Sequence, residues 1–549
     1  MKLLKNRGII VVILMIVAIL FFHTYQWAEF YSTRPWDKWS REQSIGTTFY
    51  NRPPLITSDK NNHSIILYDL EKDMDAVVLA DDGEVDYTKQ IKPPYEKIDR
   101  VKKKMILGNQ LIWQEGDALY QASFTKESLE FGSRKVVEEK GIIDFEILQE
   151  EKLLLVATEH NLKILTQENT EEIFNLKVKD KMKKIALSSD EKGNVYIAYS
   201  LQKDEVTDDI YVLQLQVKDK HIKTVQNTKV HTVEYLYKYT MGDLKITSLS
   251  EDLYLWYTEN KWDSRGAESY GEYIYFPEIN SLTEKKVQKI ELPIMWGKAS
   301  QYTTKINPVG HDSTVDLYLA SEWADTRREN GNDVFVVHFN KGEMIEYQRI
   351  TSTDYTSNHP KVLSDDTNTL LVWTDIRASR EYEVKIASTN PQAIEKFSGV
   401  TQEDWIKGLG ISLMALAYGL LYLLTRAIYQ IPSLMLVGAA EFFNIGKLRE
   451  KKYLLLGLGG LVYNIIKIFT FDFYYRPLAL EIMPSSLQFS GSMLIIPIVT
   501  SIISLLPIYL FDRDERNKGQ KISAIGLYLF YILFDTLLTN LIYTPYLVA

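Results

Sequence analysis

The stretch YTTKINPVGHDSTVDLYLASEWADTR at residues 302–327 recurs, slightly shortened, as YTSNHPKVLSDDTNTLLVWTDIR at residues 355–377. Both copies open on a tyrosine and a threonine, continue through an apolar strand core, and end on a Trp-x-Asp-x-Arg motif. A pattern that returns within one chain is typical of repeat architectures, in which each copy forms one supersecondary unit. The sequence therefore predicts a repeat array in this part of the chain.

Seven short apolar strand cores extend the recurrence through the middle of the chain. The steps between the ends of successive cores are 45, 43, 42, 58, 64 and 53 residues, and the cores end at Tyr68, Trp113, Val156, Ala198, Trp256, Ala320 and Trp373. Most cores are followed by a polar turn and a second strand rich in aromatic and β-branched residues. Repeats of roughly 40–50 residues with several strands each are typical of propeller blades. We predict an all-β propeller of about seven blades, with six or eight as alternatives.

The Trp-x-Asp-x-Arg motif resembles the repeats of sialidase-like (BNR-type) β-propellers. Residues 188–196, SSDEKGNVY, are similar to a loosened Asp-box with one residue too many before the glycine. That family uses an arginine triad, a tyrosine nucleophile and acidic partners, but the resemblance implies the fold and not the activity. Because the arginines recur inside the repeats, we expect each Asp–Arg pair to stabilise its own hairpin. The structural repeat residues are Trp262, Asp263, Arg265, Trp323, Asp325, Arg327, Trp373, Asp375 and Arg377.

The N-terminal apolar segment, Gly8–Phe22, follows three cations and no acid. Such a segment is either a signal peptide or an uncleaved membrane anchor. Tyr25 and Trp27 suit a membrane interface, and no small-residue cleavage site follows the segment, which favours the anchor. The cationic end is expected to stay in the cytoplasm. We therefore predict a cytoplasmic tip and a transmembrane anchor over residues 1–27.

The C-terminal part of the chain contains five apolar stretches, at 408–425, 431–445, 453–471, 493–511 and 523–547. The Lys and Arg clusters between them can all face the cytoplasm only if 431–445 does not cross the bilayer. That stretch is short and contains Pro432 and Glu441, so an interfacial or re-entrant helix is plausible there. The sequence predicts a membrane domain over 401–549 with four transmembrane helices, and a fifth crossing is the alternative.

Charge separates the middle of the chain from its two ends. The chain carries 63 basic and 72 acidic residues, and residues 23–405 alone have a net charge of −16. This sign argues against nucleic acid as a partner, and the absence of cysteine excludes disulfides and Cys-ligated metals. No histidine or acidic spacing fits a metal site, so neither a metal nor a cofactor is expected. An acidic extracytoplasmic domain over 28–400 is expected to prefer neutral or cationic ligands.

Two ionisable residues fall inside the predicted crossing helices. Asp535 lies near the middle of the last apolar stretch, and Lys467 lies in the stretch 453–471. Each is about 20 Å from the inner end of its stretch, so an ion pair between them is geometrically possible. Asn464 and Asn540 could extend the same polar face. The alternative is that Lys467 reaches outward to the interface while Asp535 is protonated within the helix packing.

Together these features predict a multi-pass protein of the bacterial plasma membrane with its propeller on the outer side. We expect the propeller to bind an envelope ligand or a membrane or envelope protein partner, while the helices anchor it in the lipid bilayer or relay to another membrane component. The first alternative is an envelope glycan hydrolase or lyase of sialidase-like fold. The second is a transporter subunit with an intramembrane Lys/Asp site. No catalytic residue is assigned, because acids and tyrosines are too numerous to single one out.

Overall fold

Two units make up the chain in the computed structural model. One unit comprises residues 34–398, and the other comprises residues 1–33 together with 399–549. The structure describes residues 6–32, 38–60, 63–80, 82–149, 152–166, 171–218, 221–236, 239–249, 251–263, 266–279, 281–294, 298–300, 303–311, 313–323, 331–353, 355–364, 367–443, 451–476, 479–480 and 483–548.

Seven four-stranded antiparallel blades form the first unit, which confirms the predicted propeller and its number of blades. Blades 1 to 4 run in chain order, and blade 2 has a small additional strand, Glu130–Phe131. Their strands are Leu55–Ser58, Ser64–Asp69, Met74–Leu79 and Val85–Ile91; Val101–Leu107, Gln110–Glu115, Ala118–Thr125 and Lys135–Glu138; Ile142–Leu148, Leu153–Thr158, Asn161–Thr166 and Glu172–Lys177; Lys181–Ser189, Asn194–Gln202, Thr207–Lys218 and His221–Glu234.

Blades 5 to 7 complete the ring, and a short hairpin, Leu292–Ile294 with Lys298–Ser300, lies between blades 5 and 6 in the sequence. Their strands are Tyr239–Ser248, Leu253–Asp263, Gly266–Phe276 and Lys286–Lys289; Thr303–His311, Thr314–Trp323, Gly331–Asn340 and Glu343–Arg349; Thr356–Ser364, Thr369–Ala378, Glu381–Ser388 and Gln43–Thr48. The first strand in this order of each blade contacts the first strands of both neighbouring blades, blade 7 against blade 1 included. These seven inner strands therefore surround a central axis.

Both ends of the propeller sequence meet in blade 7. Gln43–Thr48 pairs antiparallel with Glu381–Ser388 and supplies the outermost strand of that blade. Beside this pair, the Ser40 amide donates to the Ser388 carbonyl at 2.7 Å, and the Ser388 amide donates to Ser40 Oγ at 3.0 Å. The chain thus enters and leaves the propeller side by side. Closure of the ring also pairs an edge that would otherwise be left open.

Aromatic side chains fill the space between blades 5 and 6. The Phe339 ring of blade 6 lies 4.9 Å from the Trp256 ring and 4.9 Å from the Tyr273 ring of blade 5, centroid to centroid. Both contacts are edge-to-face, the geometry that aromatic quadrupoles favour. All three side chains are fully buried. A blade has two apolar faces, so it buries both only when it has a neighbour on each side.

The inner strands of blades 2 to 7 share an irregular register near their start. In blades 6 and 7 the bulge contains Lys305 and His359, whose φ angles of 55° and 56° lie in the left-handed region. The two repeats, aligned on their prolines, place His359 opposite Asn307 and suggest a turn. That interpretation is wrong, because the shared backbone conformation matches His359 to Lys305 within a strand.

The Trp-x-Asp-x-Arg motifs do not occupy equivalent positions in all three blades. In each blade, the last inner-strand residue before the bulge pairs with one residue of the second strand, which serves as a reference point. That second-strand residue is Glu259 in blade 5, Ala320 in blade 6 and Thr374 in blade 7. Trp262 and Trp323 each lie three residues beyond it, whereas Trp373 lies one residue before it. The predicted equivalence is therefore wrong for blade 7. The inner strand and its partner have the same register after the bulge in blades 6 and 7, but the motif of blade 7 begins four residues earlier along the partner strand.

Asp375 and Arg377 stabilise blade 7, but through separate partners. Asp375 is fully buried and accepts hydrogen bonds from Trp373 Nε1 at 2.9 Å and Ser357 Oγ at 2.8 Å, with Lys385 Nζ at 3.1 Å. Arg377 pairs instead with Glu383 at 2.6 Å. The prediction that Asp375 and Arg377 pair with each other is therefore wrong. Of the other repeat residues, only strand backbone is described for Trp262, Asp263 and Trp323, and Arg265, Asp325 and Arg327 lie outside the described residues.

The second unit contains, in its described part, five helices long and apolar enough to cross a membrane. The candidate spans are Arg7–Ser32, Gln402–Leu423, Lys452–Phe469, Ser492–Asn517 and Ala524–Leu547. The second and last of these helices continue to Phe442 and Val548, and short helical turns form at Phe471–Tyr474 and Ser485–Gln488.

The stretch 431–445 forms no helix of its own. It continues the helix that starts at Gln402, which runs through Pro432 and ends at Phe442, and residues 444–450 lie outside the described part. Glu441 Oε2 accepts a hydrogen bond from the Ile525 amide at 2.8 Å. A carboxylate at this position satisfies a free amide in the first turn of the last helix and suits the positive end of its dipole.

Asp375 and Arg377 of the blade 7 motif allow a matched test, because one is buried and the other is partly exposed. Asp375→Ala is expected to lower the free energy of unfolding by about 3–5 kcal/mol, because it leaves the buried Trp373, Ser357 and Lys385 groups without their acceptor. Arg377→Ala is expected to cost less, about 1–2 kcal/mol, because its side chain is 39% exposed and its buried partner Glu383 keeps Lys385 at 3.9 Å. Chemical denaturation of both variants measures the difference; equal losses would contradict the burial argument.

Candidate functional site

The ionisable residues predicted inside the helices lie together in the structure. Lys467 Nζ is 2.7 Å from Asp535 Oδ2, and both side chains are buried. The same ammonium donates to Thr500 Oγ1 at 2.7 Å, to the Pro497 carbonyl at 3.1 Å and to Ser501 Oγ at 3.3 Å. Lys467 therefore points into the bundle rather than outward to an interface.

Asp535 accepts hydrogen bonds from two more side chains. Tyr463 OH lies 2.5 Å from Oδ2, and Ser504 Oγ lies 3.3 Å from Oδ1. A buried ion pair is tolerated when further hydrogen bonds satisfy the remaining donors and acceptors, as they do here. The arrangement is thus a satisfied polar network that ties together three helices.

In the described part of this unit, neither asparagine is hydrogen-bonded to Lys467 or Asp535, and their surroundings differ. Asn540 Nδ2 donates to the Gly419 carbonyl at 2.9 Å, and Tyr474 OH donates to Asn540 Oδ1. Asn464 Nδ2 donates to the Gly460 carbonyl of its own helix at 2.8 Å and to Tyr531 OH at 3.4 Å. Tyr531 is also hydrogen-bonded to Ser501, so Asn464 adjoins the ion-pair network through Tyr531, whereas Asn540 serves helix packing at a separate place.

A small cavity adjoins the ion pair. Its volume is about 30 Å³, and its lining includes Lys467, Tyr463, Arg426, Gln430 and Thr536. A space of this size admits one or two water molecules and no larger ligand. The pair can therefore contact water while the helices remain packed around it.

A second charged cluster lies on the inner strands of the propeller, where none of the sequence patterns above indicates one. Lys245 of blade 5 lies 2.9 Å from Glu146 of blade 3, so the contact passes in front of blade 4. Lys103 of blade 2 lies 2.9 Å from both Asp144 and Glu146. A contact between blades that are not neighbours requires that these side chains point toward the axis.

Further charges from blades 4 to 7 join this cluster. Lys361 of blade 7 interacts electrostatically with Lys103, Glu146 and Lys245. Asp243 of blade 5 interacts in the same way with lysines of blades 4, 5 and 6. We call the whole set the axial cluster, and its members are Lys103, Asp144, Glu146, Lys184, Asp243, Lys245, Lys305, His359 and Lys361.

Ion pairing controls the protonation of one half of the axial cluster. Burial by itself would raise the pKa of Glu146, but Lys103 and Lys245 outweigh it and hold that pKa below its ordinary value. Burial would likewise lower the pKa of Lys103, but Asp144 and Glu146 raise it. Both partners are therefore charged at neutral pH.

The other half of the cluster has the opposite balance. Burial and the nearby charge of Lys245 lower the pKa of Lys361 to about 8. Burial and the charge of Lys305 lower the pKa of His359 to about 3, so this imidazole is neutral at pH 7. Both shifts have the sign expected for a base surrounded by an excess of positive charge.

The described residues of the axial cluster include five lysines and three carboxylates, an excess of two positive charges. We call the space around the central axis, which the seven inner strands surround, the channel. The net charge of −16 over residues 23–405 therefore does not describe the charge that faces this channel. Averaging over a domain cannot show which side chains face its axis. A usable signal did exist: Lys or Asp recurs two to five residues after the first residue of the inner strands of blades 2 to 7, next to each bulge.

The remaining sequence features give no comparable site. None of the seven inner strands contains an arginine, so the arginine triad that the family resemblance implies has no counterpart there. The sequence also contains three acidic doublets, Asp81-Asp82, Asp208-Asp209 and Asp365-Asp366. Asp82 pairs with Lys396 at 2.7 Å, and Asp209 pairs with Lys229 at 2.7 Å. Asp81, Asp365 and Asp366 lie outside the described residues, within which no group of three or more histidines or acids is arranged to hold a metal.

A wider cleft of about 830 Å³ lies between blades 1 and 7, where the chain leaves the propeller. Its lining includes Ser58, Ser64, Ser364, Thr367 and Asn390, and no described residue of the lining is charged. The cleft offers hydrogen bonds but no group that would select a ligand by its charge.

No family model matches the chain, and no curated protein matches its sequence. Among solved structures, the N-terminal domain of Nup159 is 12% identical with a TM-score of 0.37, over 64% of this chain and 95% of that chain. BBS1N, solved in complex with ARL6DN, is 11% identical with a TM-score of 0.38, over 63% and 97%. The polysaccharide lyase Uly1 is 10% identical with a TM-score of 0.38, over 62% and 90%. At these identities and TM-scores the likeness assigns no family and no function to this chain. The sialidase-like resemblance is supported only as far as the seven-bladed architecture of the structure itself.

The electrostatics of the axial cluster predict opposite effects from two substitutions. Lys245→Met is expected to raise the pKa of Lys361 from about 8 toward its ordinary 10.5, because it removes a neighbouring positive charge. Glu146→Gln is expected to lower it further. The pH dependence of acetylation at Lys361, followed by mass spectrometry, measures both shifts. Lys60→Met, at an exposed surface pair, serves as the control; shifts of equal sign in the two channel variants would refute the assignment.

The helical network predicts strong non-additivity. Lys467→Met is expected to lower the free energy of unfolding by about 3–5 kcal/mol, because it leaves Asp535 buried without its cation. Lys467→Met combined with Asp535→Leu is expected to recover most of this loss. Denaturation in mixed micelles measures the cycle, with Lys518→Met at the exposed pair with Glu515 as the control. A single-variant loss no larger than that of the control would show that the pair is not a stabilising network.

Proposed function

We propose that this chain is a membrane-anchored binding protein whose propeller captures a ligand at its axis on the extracytoplasmic side of a bacterial plasma membrane. The observation that carries the proposal is the axial cluster, to which six of the seven blades contribute charged side chains. Buried charges contribute little to stability and often cost some, so the fold itself does not need them. Charged groups that converge in a concave site are instead typical of ligand binding.

The helical unit supports the anchoring part of the proposal. Its described residues include five helices with the length and composition of membrane spans. Positive charges at the N-terminal end and in the loop that follows Asn517 agree with a cytoplasmic location of both. On this topology the first span leads directly out to the propeller.

The chain enters and leaves the propeller at the same level of blade 7. Ser388, where the chain leaves the propeller, pairs with Leu370 of the second strand of blade 7. Leu370 in turn pairs with Leu363, near the end of the inner strand of that blade. His359 lies nearer the start of that strand, and Lys361 lies two residues before Leu363. Lys103, Asp144 and Lys305 each lie two residues after the start of their own inner strands. The axial cluster is therefore closer to the end of the channel that carries neither chain link.

The two alternative functions have weaker support. A sialidase-like hydrolase would need an arginine triad at the axis, where the inner strands contain lysines. A transport pathway through the Lys467/Asp535 site would need more room than the cavity of about 30 Å³ beside it. No distance or burial among the described residues favours either function over binding.

The absence of cysteine allows a direct test of the topology. Lys192→Cys in an exposed propeller hairpin is expected to react with a membrane-impermeant maleimide on intact cells, because the propeller is outside. Gln520→Cys in the loop after the fourth span is expected to react only after lysis. The unsubstituted chain has no thiol and serves as the blank. The reverse labelling pattern would place the propeller in the cytoplasm and refute the proposal.

The same background allows a test of binding at the axis. The purified full chain is screened in detergent against small anions, cationic amines and neutral saccharides, with the melting temperature as the readout. A ligand that raises it is expected to lose this effect when Lys361→Cys is conjugated to a bulky maleimide, because the conjugate blocks the channel. Conjugation of Lys192→Cys is the matched control. A ligand effect that survives the channel conjugate, or no effect from any class, would contradict the proposal.

A further inference from the structure

We infer that the axial cluster binds a small anion that carries a carboxylate or phosphate group, held among the ammonium groups of Lys184, Lys305 and Lys361. This inference rests on the proposed function and adds the chemistry of the ligand. It follows from the division of the cluster into a paired and an unpaired half.

The paired half is electrostatically complete. Lys103 and Lys245 each lie within 2.9 Å of a carboxylate, and Glu146 lies between them. Asp144 is also bonded to Lys103 at 2.9 Å. An added ligand would have to displace one of these pairs, which leaves no vacancy for it here.

The unpaired half lacks this compensation. Within the part of the chain that the structure describes, three of the lysines have no ion-pair partner, namely Lys184, Lys305 and Lys361. Asp243 is the one described carboxylate of this half, and its own pKa is lowered against the effect of burial by Lys305, Lys245 and Lys184. This half therefore carries two more positive than negative charges. Ammonium groups held together away from bulk water are costly unless an anion joins them.

The surroundings of Asp243 argue against a cation as the ligand. A cation at this carboxylate would be repelled by Lys305, Lys245 and Lys184, whose positive charges already act on Asp243. His359 adds no charge at neutral pH, since its pKa is about 3. A carboxylate or phosphate oxygen would instead replace the missing acceptor for each ammonium, and charge-assisted hydrogen bonds of this kind are the stronger ones.

The acidic exterior limits the size of the ligand. Residues 23–405 have a net charge of −16, which opposes the approach of long polyanions along the surface. The attraction of the unpaired lysines acts at short range, because the Debye length is about 8 Å at physiological ionic strength. A small anion that enters the channel experiences mainly the lysines.

The test is calorimetric titration of the full chain in detergent with inorganic phosphate and with citrate. Saturable binding is expected, and Lys361→Met and Lys305→Met are each expected to weaken it by about tenfold or more, the loss of one charged hydrogen bond. Lys361→Arg keeps the charge and is expected to retain binding. Lys192→Met removes the same charge from an exposed hairpin and is the control for net charge. Thermal unfolding of each variant shows that it is folded.

The outcomes separate this inference from the proposed function. Equal weakening by Lys361→Met and Lys192→Met would mean that binding reflects overall charge, which overturns the anion site. If neither phosphate nor citrate binds, while an amine or saccharide binds and is blocked by the channel conjugate, the anion inference fails and the proposed function stands. If no class of ligand is sensitive to the channel conjugate, both fail.

Discussion

The pairing of Gln43–Thr48 with Glu381–Ser388 is the interaction on which the propeller depends, because it joins strands from the two ends of the domain. Each blade has two apolar faces, and only a closed ring gives every blade two neighbours. Closure also holds the inner strands of blades 2 to 7 around one axis, so side chains that are far apart in the sequence meet there. The two links of the propeller leave beside this same strand pair, at Ser40 and Ser388.

The charged side chains inside the two units differ in how completely they are paired. In the helical unit, Lys467 and Asp535 neutralise each other, and hydroxyl groups satisfy their remaining hydrogen bonds. This network is complete without a ligand, which fits a role in holding helices together. In the propeller, the pairing around Glu146 is complete but the lysines around Asp243 are in excess. We assign the helical network to packing because its charged groups all have partners, and we propose the propeller cluster as a binding site because some of its lysines do not.

Spacing predicted the blades well, since each strand core is a local pattern that does not depend on its neighbours. The position of individual residues within a blade was predicted less well. The alignment on prolines placed His359 opposite Asn307, whereas the left-handed bulge matches it to Lys305. The alignment on tryptophans placed Trp373 level with Trp323, whereas the ladder shifts it by four residues. Bulges and strand pairing set the register, and neither follows from a short motif.

The amino-acid sequence by itself determined the class of each region: strand-rich repeats in the middle, apolar helices at both ends, and two ionisable residues at similar depth in the helices. These properties arise from periodicity and composition over a few tens of residues. The tertiary structure alone decided that Lys103, Glu146 and Lys245 meet at the axis and that Asp375 and Arg377 have separate partners. Such contacts depend on ring closure and strand register, which are set by pairing between segments distant in the chain.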